Sequence, residues 1–330
     1  MEDGEQERAG RRRRVWVSEI CWFLTIFFML WAIVRTGGLE RGFPLVQLLA
    51  YTPYVLLLSL IALLIVVLCR RWLAAGFLLI ACLALALAVL PREIGGPETV
   101  PGGQPVRVMT INLGVGYAHA DEIAELARVR DVDLVAVQEL TPAEASGLDR
   151  AGFATDYPHR ILQPGTEASG GGIYSRWPLV DRGSLTAEFH QPVADVRIPA
   201  SIPIEFVSVH PMAPTTPART SQWASEYKSL PEASSARLPL VLAGDFNATL
   251  DHRNLRDLID TGYRDAAEVT GSGLVTTWPS RIEWKLPVTL DHVLAEKGIS
   301  FSQYDVEKVA GTDHRAVIVE LVMPPVPGGR

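Results

Sequence analysis

The sequence predicts an α+β protein in two parts, an N-terminal anchor of three transmembrane helices followed by a globular domain. The first observation is three long apolar stretches within the first ninety residues. The second is a series of short buried strands that alternate with amphipathic helices further along the chain. We expect residues 1–14 to form a basic N-terminus, 15–90 the anchor, 91–104 a Gly/Pro-rich linker, 105–323 the domain and 324–330 a tail.

The three apolar stretches cover about 15–34, 46–69 and 72–90, and each is near the ~20 residues that a helix needs to cross a bilayer. Glu19 is the only acidic residue inside them. None has the polar face that a long helix on a soluble core would show. The alternative is a cleaved signal peptide, but the first stretch is long for that and no small-x-small cleavage site follows it.

The arginines predict the orientation of the anchor. Arg11 to Arg14 precede the first stretch, Arg70 and Arg71 separate the second from the third, and the segment 35–44 is poorer in basic residues. Since basic residues stay on the cytoplasmic side, we expect a cytoplasmic N-terminus and an extracytoplasmic domain. The predicted location is the plasma membrane, crossed several times.

Cysteine usage and charge constrain the domain. The cysteines, Cys21, Cys69 and Cys82, all fall in or beside the apolar stretches, so the domain must rely on its hydrophobic core instead of disulfides. The chain has 30 basic and 37 acidic residues, and the excess of acid lies in the domain. A net acidic domain is a poor non-specific binder of nucleic acid, although clustered arginines could override the net charge.

The stretch from Leu240 to Thr249 is the most informative part of the domain. A run of apolar residues predicts a buried strand, and Gly244 then allows the chain to turn. Asp245 and Asn247 follow two positions apart, so in extended chain both side chains lie on the same side. Together these two side chains can bind a water molecule, a metal ion or a phosphate oxygen. The alternative is a turn that caps the next helix.

Other predicted strands also end in acidic, amide or imidazole groups. These groups are Asn112, Glu139, His210, Asp291, Asp313 and His314. Glu139 could instead cap the helix that begins near Pro142, and a lone histidine such as His210 is often structural. Carboxylate and amide oxygens suit Mg²⁺ or Mn²⁺, and no His-x-x-x-His pair indicates zinc. A hard cation beside acid/base groups suits attack of water on a phosphoryl centre.

At this point the sequence resembles the endonuclease/exonuclease/phosphatase superfamily. Seven motifs occur in the family order, over about Val106 to Leu321. They are Met109-Thr110-Ile111-Asn112, Val137-Gln138-Glu139, Gly172 to Ser175, Val209-His210, Gly244-Asp245-Phe246-Asn247, Leu290-Asp291-His292 and Thr312-Asp313-His314. The resemblance implies a four-layer α/β sandwich, in which two mainly antiparallel sheets pack face to face with helices outside.

The resemblance also implies roles for these residues. Glu139 would bind the metal, assisted by Asn112 and Asp313. Asp245 would orient or deprotonate the attacking water. Asn247 and His210 would hold phosphate oxygens, and His314, oriented by Asp291, would stabilise charge on the phosphoryl group. Pro211 and Thr312 depart from the common Leu and Ser of the family without removing a functional group, and the insertions with which its nucleases grip nucleic acid are not evident.

The anchor followed by such a domain also resembles the VanJ-type membrane proteins linked to teicoplanin resistance, which are associated with dephosphorylation of undecaprenyl pyrophosphate. We therefore expect a membrane-anchored phosphatase that acts on a lipid (pyro)phosphate. The alternatives are an extracytoplasmic nuclease and a non-catalytic binding protein on the same scaffold. Trp278 and Trp284 are suited to a membrane-interface lip beside the site, or to ordinary packing under a loop.

Overall fold

The computed structural model describes residues 2–233, 238–280 and 285–325. Its N-terminal part is helical and contains four helices before the domain begins. They are α1 (Glu2–Gly37), α2 (Leu45–Leu49), α3 (Thr52–Leu68) and α4 (Trp72–Val89). α1 and α3 both pack against α4 around a small-residue core that includes Cys21, Ala74 and Cys82.

Two stretches within helices are long and apolar enough to cross a membrane, Gly10–Gly37 and Trp72–Glu93. The expected second span, 46–69, is interrupted: α2 ends at Leu49 and the apolar helix α3 has 17 residues. Pro53 explains the break, because proline has no amide hydrogen and stands in the first turn of α3. The count of three membrane-spanning helices is therefore not confirmed.

The domain that follows contains twelve strands and six further helices among the described residues. The strands are β1 (Gln104–Asn112), β2 (Leu134–Gln138), β3 (His159–Gln163), β4 (Gly171–Ser175), β5 (Leu179–Ser184), β6 (Pro192–Val196), β7 (Ile204–Val209), β8 (Leu240–Asp245), β9 (Tyr263–Asp265), β10 (Asp291–Glu296), β11 (Ser300–Lys308) and β12 (Arg315–Met323). The helices are α5 (Ala120–Val129), α6 (Pro142–Arg150), α7 (Phe153–Asp156), α8 (Pro217–Glu226), α9 (Arg253–Asp260) and α10 (Ala266–Val269).

These strands form two six-stranded sheets, ordered β11-β12-β1-β2-β4-β3 and β5-β6-β7-β8-β10-β9. Pairing is antiparallel except for β1 with β2 and β7 with β8. One apolar cluster joins the inner faces of both sheets, with Val108, Phe206 and Val241 among its members. A second lies under α5 and α6, and a third lies under α8 and α9. The result is the expected four-layer sandwich.

β8 begins at Leu240, where the apolar run predicts a buried strand, and all six of its residues are buried. β7 is likewise buried along its whole length. The predicted linker, 91–104, is held against the domain by hydrogen bonds and an ion pair of Glu98. The amide of Glu98 donates to the carbonyl of Phe301 at 2.7 Å, and the Glu98 carboxylate pairs with Arg264.

The domain is attached to one end of the helical part through a buried ion cluster. Asp251, which follows β8, accepts a hydrogen bond from Nε of Arg35 at 2.6 Å and bonds from Arg92 at 2.6 and 3.0 Å. Burial would raise the pKa of Asp251, but Arg92 and Arg35 outweigh it and hold this pKa below its usual value. Nearby, Nε2 of His252 donates to the carbonyl of Val46 at 2.8 Å.

We expect Asp251→Ala to destabilise the protein by about 3–5 kcal/mol, because the substitution leaves two buried guanidinium groups without their counter-charge. Thermal unfolding of the full chain in detergent measures the effect. The matched control is Asp257→Asn, since Asp257 forms an exposed i,i+4 pair with Arg253 at 3.0 Å. Such a pair contributes only about 0.3–0.5 kcal/mol. Equal shifts in the two variants would contradict the structural role of Asp251.

Candidate active site

The predicted site residues meet at one edge of the two packed sheets. Parallel strands end at the same edge, and a strand antiparallel to them begins there. β1, β2, β7 and β8 accordingly end beside the points where β10 and β12 begin, and Asp291 pairs directly with Asp245 across β10 and β8. Six of the eight predicted residues line one pocket: Glu139, His210, Asp245, Asn247, Asp313 and His314. Asn112 and Asp291 do not line the pocket. Asn112 hydrogen-bonds to Glu139 and Asp245, and Asp291 to His314.

Asn112 holds two carboxylates together. Its Nδ2 donates to Oε1 of Glu139 at 3.1 Å and to Oδ2 of Asp245 at 3.2 Å, while its Oδ1 accepts from the amide of Gly114 at 3.0 Å. Burial raises the pKa of Glu139 and also that of Asp245. Glu139 further has a φ of +57°, a left-handed conformation that costs energy in a non-glycine residue and is typical of functional positions.

Asp291 and His314 form a buried pair on the other side of Asp245. Nδ1 of His314 lies 3.0 and 3.1 Å from the two carboxylate oxygens of Asp291, and Nε2 lies 3.7 Å from Oδ2 of Asp245. Burial would lower the pKa of His314, but the carboxylates of Asp291 and Asp245 outweigh it and raise this pKa to about 10. His314 is therefore an imidazolium at neutral pH, with its Nε2–H directed toward the cluster of acids.

His210 and Asn247 complete the floor of the pocket. Nε2 of His210 lies 3.8 Å from Asp245 and 3.9 Å from Glu139, and burial lowers the pKa of His210. Nδ1 of His210 has no hydrogen-bond partner among the described residues. Asn247, also left-handed with φ +49°, donates its backbone amide to Asp245 at 2.8 Å and its Nδ2 to the carbonyl of Pro211 at 3.0 Å.

Asp313 is exposed at the pocket, where Nε1 of Trp278 donates to its Oδ2 at 2.8 Å. The Trp278 ring lies 6.3 Å from that of His314, between centroids. Trp278 thus lines the pocket, and its hydrogen bond orients the carboxylate of Asp313. Trp284, the other expected lip residue, lies outside the described residues.

The structure shows supporting residues to which the sequence analysis assigned no role. Oε1 of Gln191 accepts the backbone amide of His210 at 3.0 Å, and the ring of Phe189 lies 4.9 Å from the imidazole of His210. Oγ1 of Thr312 donates to the carbonyl of Asn112 at 2.8 Å and accepts the amide of His314 at 3.1 Å. Phe189 and Gln191 give no signal in the sequence, because each contacts His210, which is distant in the chain. Thr312 stands in one of the seven motifs, but its contact with Asn112 joins residues 200 positions apart.

The pocket has a volume of about 540 Å³, and part of its wall comes from the helical N-terminal region. Gln47, Ala50 and Tyr51 line it from the segment that joins α1 to α3. The Gln47 side chain donates to the carbonyl of Pro214 and, at 3.0 Å, to Oγ1 of Thr220, so this segment is tied to the domain. The cations that line the pocket among the described residues are Arg219, Lys285 and protonated His314.

The residues present fit a divalent cation with oxygen ligands. Glu139 and Asp245 converge on one amide group, and Asp313 faces the same pocket, so three carboxylates can offer oxygen ligands there. Asp245, Asp291 and His314 also place ligand-type atoms within 4.8 Å of one another. In that trio, however, Asp291 is already neutralised by the His314 imidazolium. The ligand set implied by the family resemblance, Glu139 with Asn112 and Asp313, stays a prediction.

The site is a cluster of acid and base groups at one edge of a four-layer α/β sandwich, an arrangement suited to hydrolysis of phosphate esters. The family model for the endonuclease/exonuclease/phosphatase family matches residues 109–314. The chain therefore belongs to this family, whose members are phosphoesterases and nucleases that generally use divalent metal ions.

Comparison with solved structures supports the fold. An endonuclease/exonuclease/phosphatase from Beutenbergia cavernae has a TM-score of 0.53 at 19% identity, over 68% of this chain and 73% of that one. A mannosyl-6-phosphatase from Bacteroides thetaiotaomicron has a TM-score of 0.52 at 18% identity, over 66% and 100%. An AP endonuclease from Archaeoglobus fulgidus has a TM-score of 0.54 at 14% identity, over 66% and 99%. Comparison with curated protein sequences finds no match.

Proposed function

We propose that this protein is a membrane-anchored, divalent-metal-dependent phosphohydrolase that acts on a lipid (pyro)phosphate, such as undecaprenyl pyrophosphate, at the extracytoplasmic surface. One observation carries the proposal: Gln47, Ala50 and Tyr51, which join the apolar helices α1 and α3, line the pocket that holds the candidate catalytic residues. An active site bordered by its own membrane anchor is positioned for a substrate that lies in the membrane. Tethering also raises the effective concentration of such a substrate.

The distribution of contacts supports the predicted orientation. The domain is held by Arg35, by residues 46–54 and by Arg92, all at one end of the helical bundle. The arginine clusters lie at the other end, where Nη2 of Arg71 donates to the carbonyl of Arg14 at 2.6 Å. Basic residues on the side away from the domain favour a cytoplasmic N-terminus and an extracytoplasmic active site.

The chain's own residues account for an in-line hydrolysis. Asp245, held by the Asn247 amide and desolvated by burial, accepts a proton from the attacking water as its oxygen bonds to phosphorus. The His314 imidazolium, fixed by Asp291, stabilises negative charge on the phosphoryl oxygens. The bond from phosphorus to the leaving oxygen breaks, and the lipid monophosphate departs. A Mg²⁺ or Mn²⁺ held by Glu139, Asn112 and Asp313 would supply further charge neutralisation.

Hydrolysis assays on the full chain in detergent micelles, in which the products of each substrate are separated and quantified, test the substrate class. We expect Mg²⁺- or Mn²⁺-dependent release of phosphate from a polyprenyl pyrophosphate, and much less hydrolysis of a phosphodiester lipid or of DNA. Efficient cleavage of DNA with none of the lipid pyrophosphate would overturn the proposal and favour a nuclease. The Glu139→Gln variant, assayed in parallel, excludes a contaminating phosphatase as the source of the signal.

Reporter fusions test the orientation independently of activity. A reporter that is active only outside the cytoplasm should be active when fused after Arg330 and silent when fused after Arg71, because the arginine-rich end of the bundle is expected inside. A reporter that is active only in the cytoplasm is the matched control and should give the opposite pattern. Cytoplasmic activity of the fusion after Arg330 would contradict the predicted orientation.

A further inference from the structure

A second cavity adjoins the active-site pocket. It has a volume of about 300 Å³, and Ala50 and Val288 line both spaces. On one side it is bordered by the start of α3, through Pro53, Tyr54 and Leu57. On the other side it is bordered by the segments 249–251, 273–276 and 287–289 of the domain. We name this space, between α3 and the domain, the α3 groove.

The α3 groove leads from the catalytic residues toward the part of the chain that is proposed to lie in the membrane. Leu57 is five residues beyond the first residue of α3, which corresponds to about 8 Å along a helix. Its side chain is 59% exposed, so this end of the groove opens onto the apolar outer surface of the helical bundle. At the other end, Ala50 and Val288 border the catalytic pocket.

The polar groups along the α3 groove are already paired. Arg92 and Asp251 bond to each other at 2.6 and 3.0 Å. The hydroxyl of Tyr54 donates to the carbonyl of Pro287 at 2.8 Å, and the hydroxyl of Thr289 donates to the carbonyl of Val275 at 2.8 Å. An apolar occupant therefore does not leave these groups without partners, and its carbon surface meets Ala50, Pro53, Leu57, Leu274 and Val288.

We propose that the α3 groove binds the hydrocarbon chain of the substrate next to its phosphate group. The chain enters from the bilayer at Leu57 and passes Ala50, which places the phosphate among Glu139, Asp245 and His314. This inference rests on the proposed function and names the part of the protein that selects a long-chain lipid phosphate over a soluble phosphoester. The continuity of the groove with the catalytic pocket and its opening on the bundle surface both support this occupant.

Turnover of two substrates tests the groove. The first is a polyprenyl pyrophosphate in detergent micelles, and the second is a soluble short-chain phosphoester. We expect Leu57→Trp to lower the ratio of long-chain to short-chain kcat/KM at least tenfold, because the indole fills the entrance. The matched control is Leu58→Trp, since Leu58 is 54% exposed on the same helix but lines neither cavity. An unchanged ratio in Leu57→Trp would overturn the proposal.

Photo-crosslinking with a long-chain alkyl phosphate that carries a diazirine in its chain provides a readout that does not depend on turnover. We expect labels on residues 53–57 and 287–289, and their loss in Leu57→Trp. Labels restricted to exposed leucines elsewhere on the bundle would overturn the groove. If the probe labels the groove but the protein hydrolyses DNA and no lipid phosphate, the groove is supported and the proposed function is rejected. The two failures are therefore distinguishable.

Discussion

Replacing Glu139 is expected to abolish metal-dependent hydrolysis while the fold remains intact. Both Glu139→Ala and the isosteric Glu139→Gln should lower phosphate release by about a thousandfold or more, since loss of a group that acts on the transition-state charge has effects of this order. Glu139 is half-buried beside Asn112 and His210, and its carboxylate is the main candidate ligand for the metal. The measurement is the initial rate of phosphate release as a function of Mg²⁺ concentration.

The matched control for Glu139 is Glu167→Gln. Glu167 also has a left-handed backbone, with φ +52° against +57° for Glu139, but its side chain is exposed. We expect normal activity in that variant. Thermal unfolding should show that Glu139→Gln is at least as stable as the parent, because burial raises the pKa of Glu139 and its ionised form therefore costs stability at neutral pH. Unchanged activity of Glu139→Gln at saturating Mg²⁺ would refute the assignment.

Asp291→Asn is expected to lower kcat by about 100- to 10,000-fold, the range typical for loss of a group that supports acid/base or electrostatic catalysis. The substitution preserves the shape of the side chain but removes the charge that holds the His314 imidazolium 3.0 Å away. The rate should fall much more than substrate affinity, because the pair acts on charge that develops during reaction. Steady-state kinetics on a soluble phosphoester separates kcat from KM.

A second buried Asp–His pair provides a control for Asp291. His292 lies 2.8 Å from Asp265 and its Nε2 donates to the carbonyl of Ala248 at 3.0 Å, but neither Asp265 nor His292 lines the active-site pocket. Asp265→Asn should therefore reduce stability without a comparable loss of kcat per folded molecule. Equal losses of kcat in the two variants would mean that Asp291 acts only through the stability of the fold.

The sequence by itself determined the domain architecture and the candidate chemistry. A strand such as β8 is recognisable because a short unbroken apolar run is a local property. The polar residues that end such strands are recognisable for the same reason. Eight residues spread over the domain were assigned to one site because their motifs resemble those of the endonuclease/exonuclease/phosphatase superfamily, and the structure brings all eight together.

Only the tertiary structure decided how the N-terminal helices and the domain combine, because those contacts join residues far apart in the chain. Arg35 and Asp251 are separated by 216 positions, and Tyr54 and Pro287 by 233. Neither hydropathy nor residue spacing contains information on such pairs. The effect of the break between α2 and α3 is also visible only in the tertiary structure, because Gln47, Ala50 and Tyr51 beside it line the active-site pocket. Burial and long-range hydrogen bonding, and not local propensity, place the candidate catalytic residues beside the N-terminal helices.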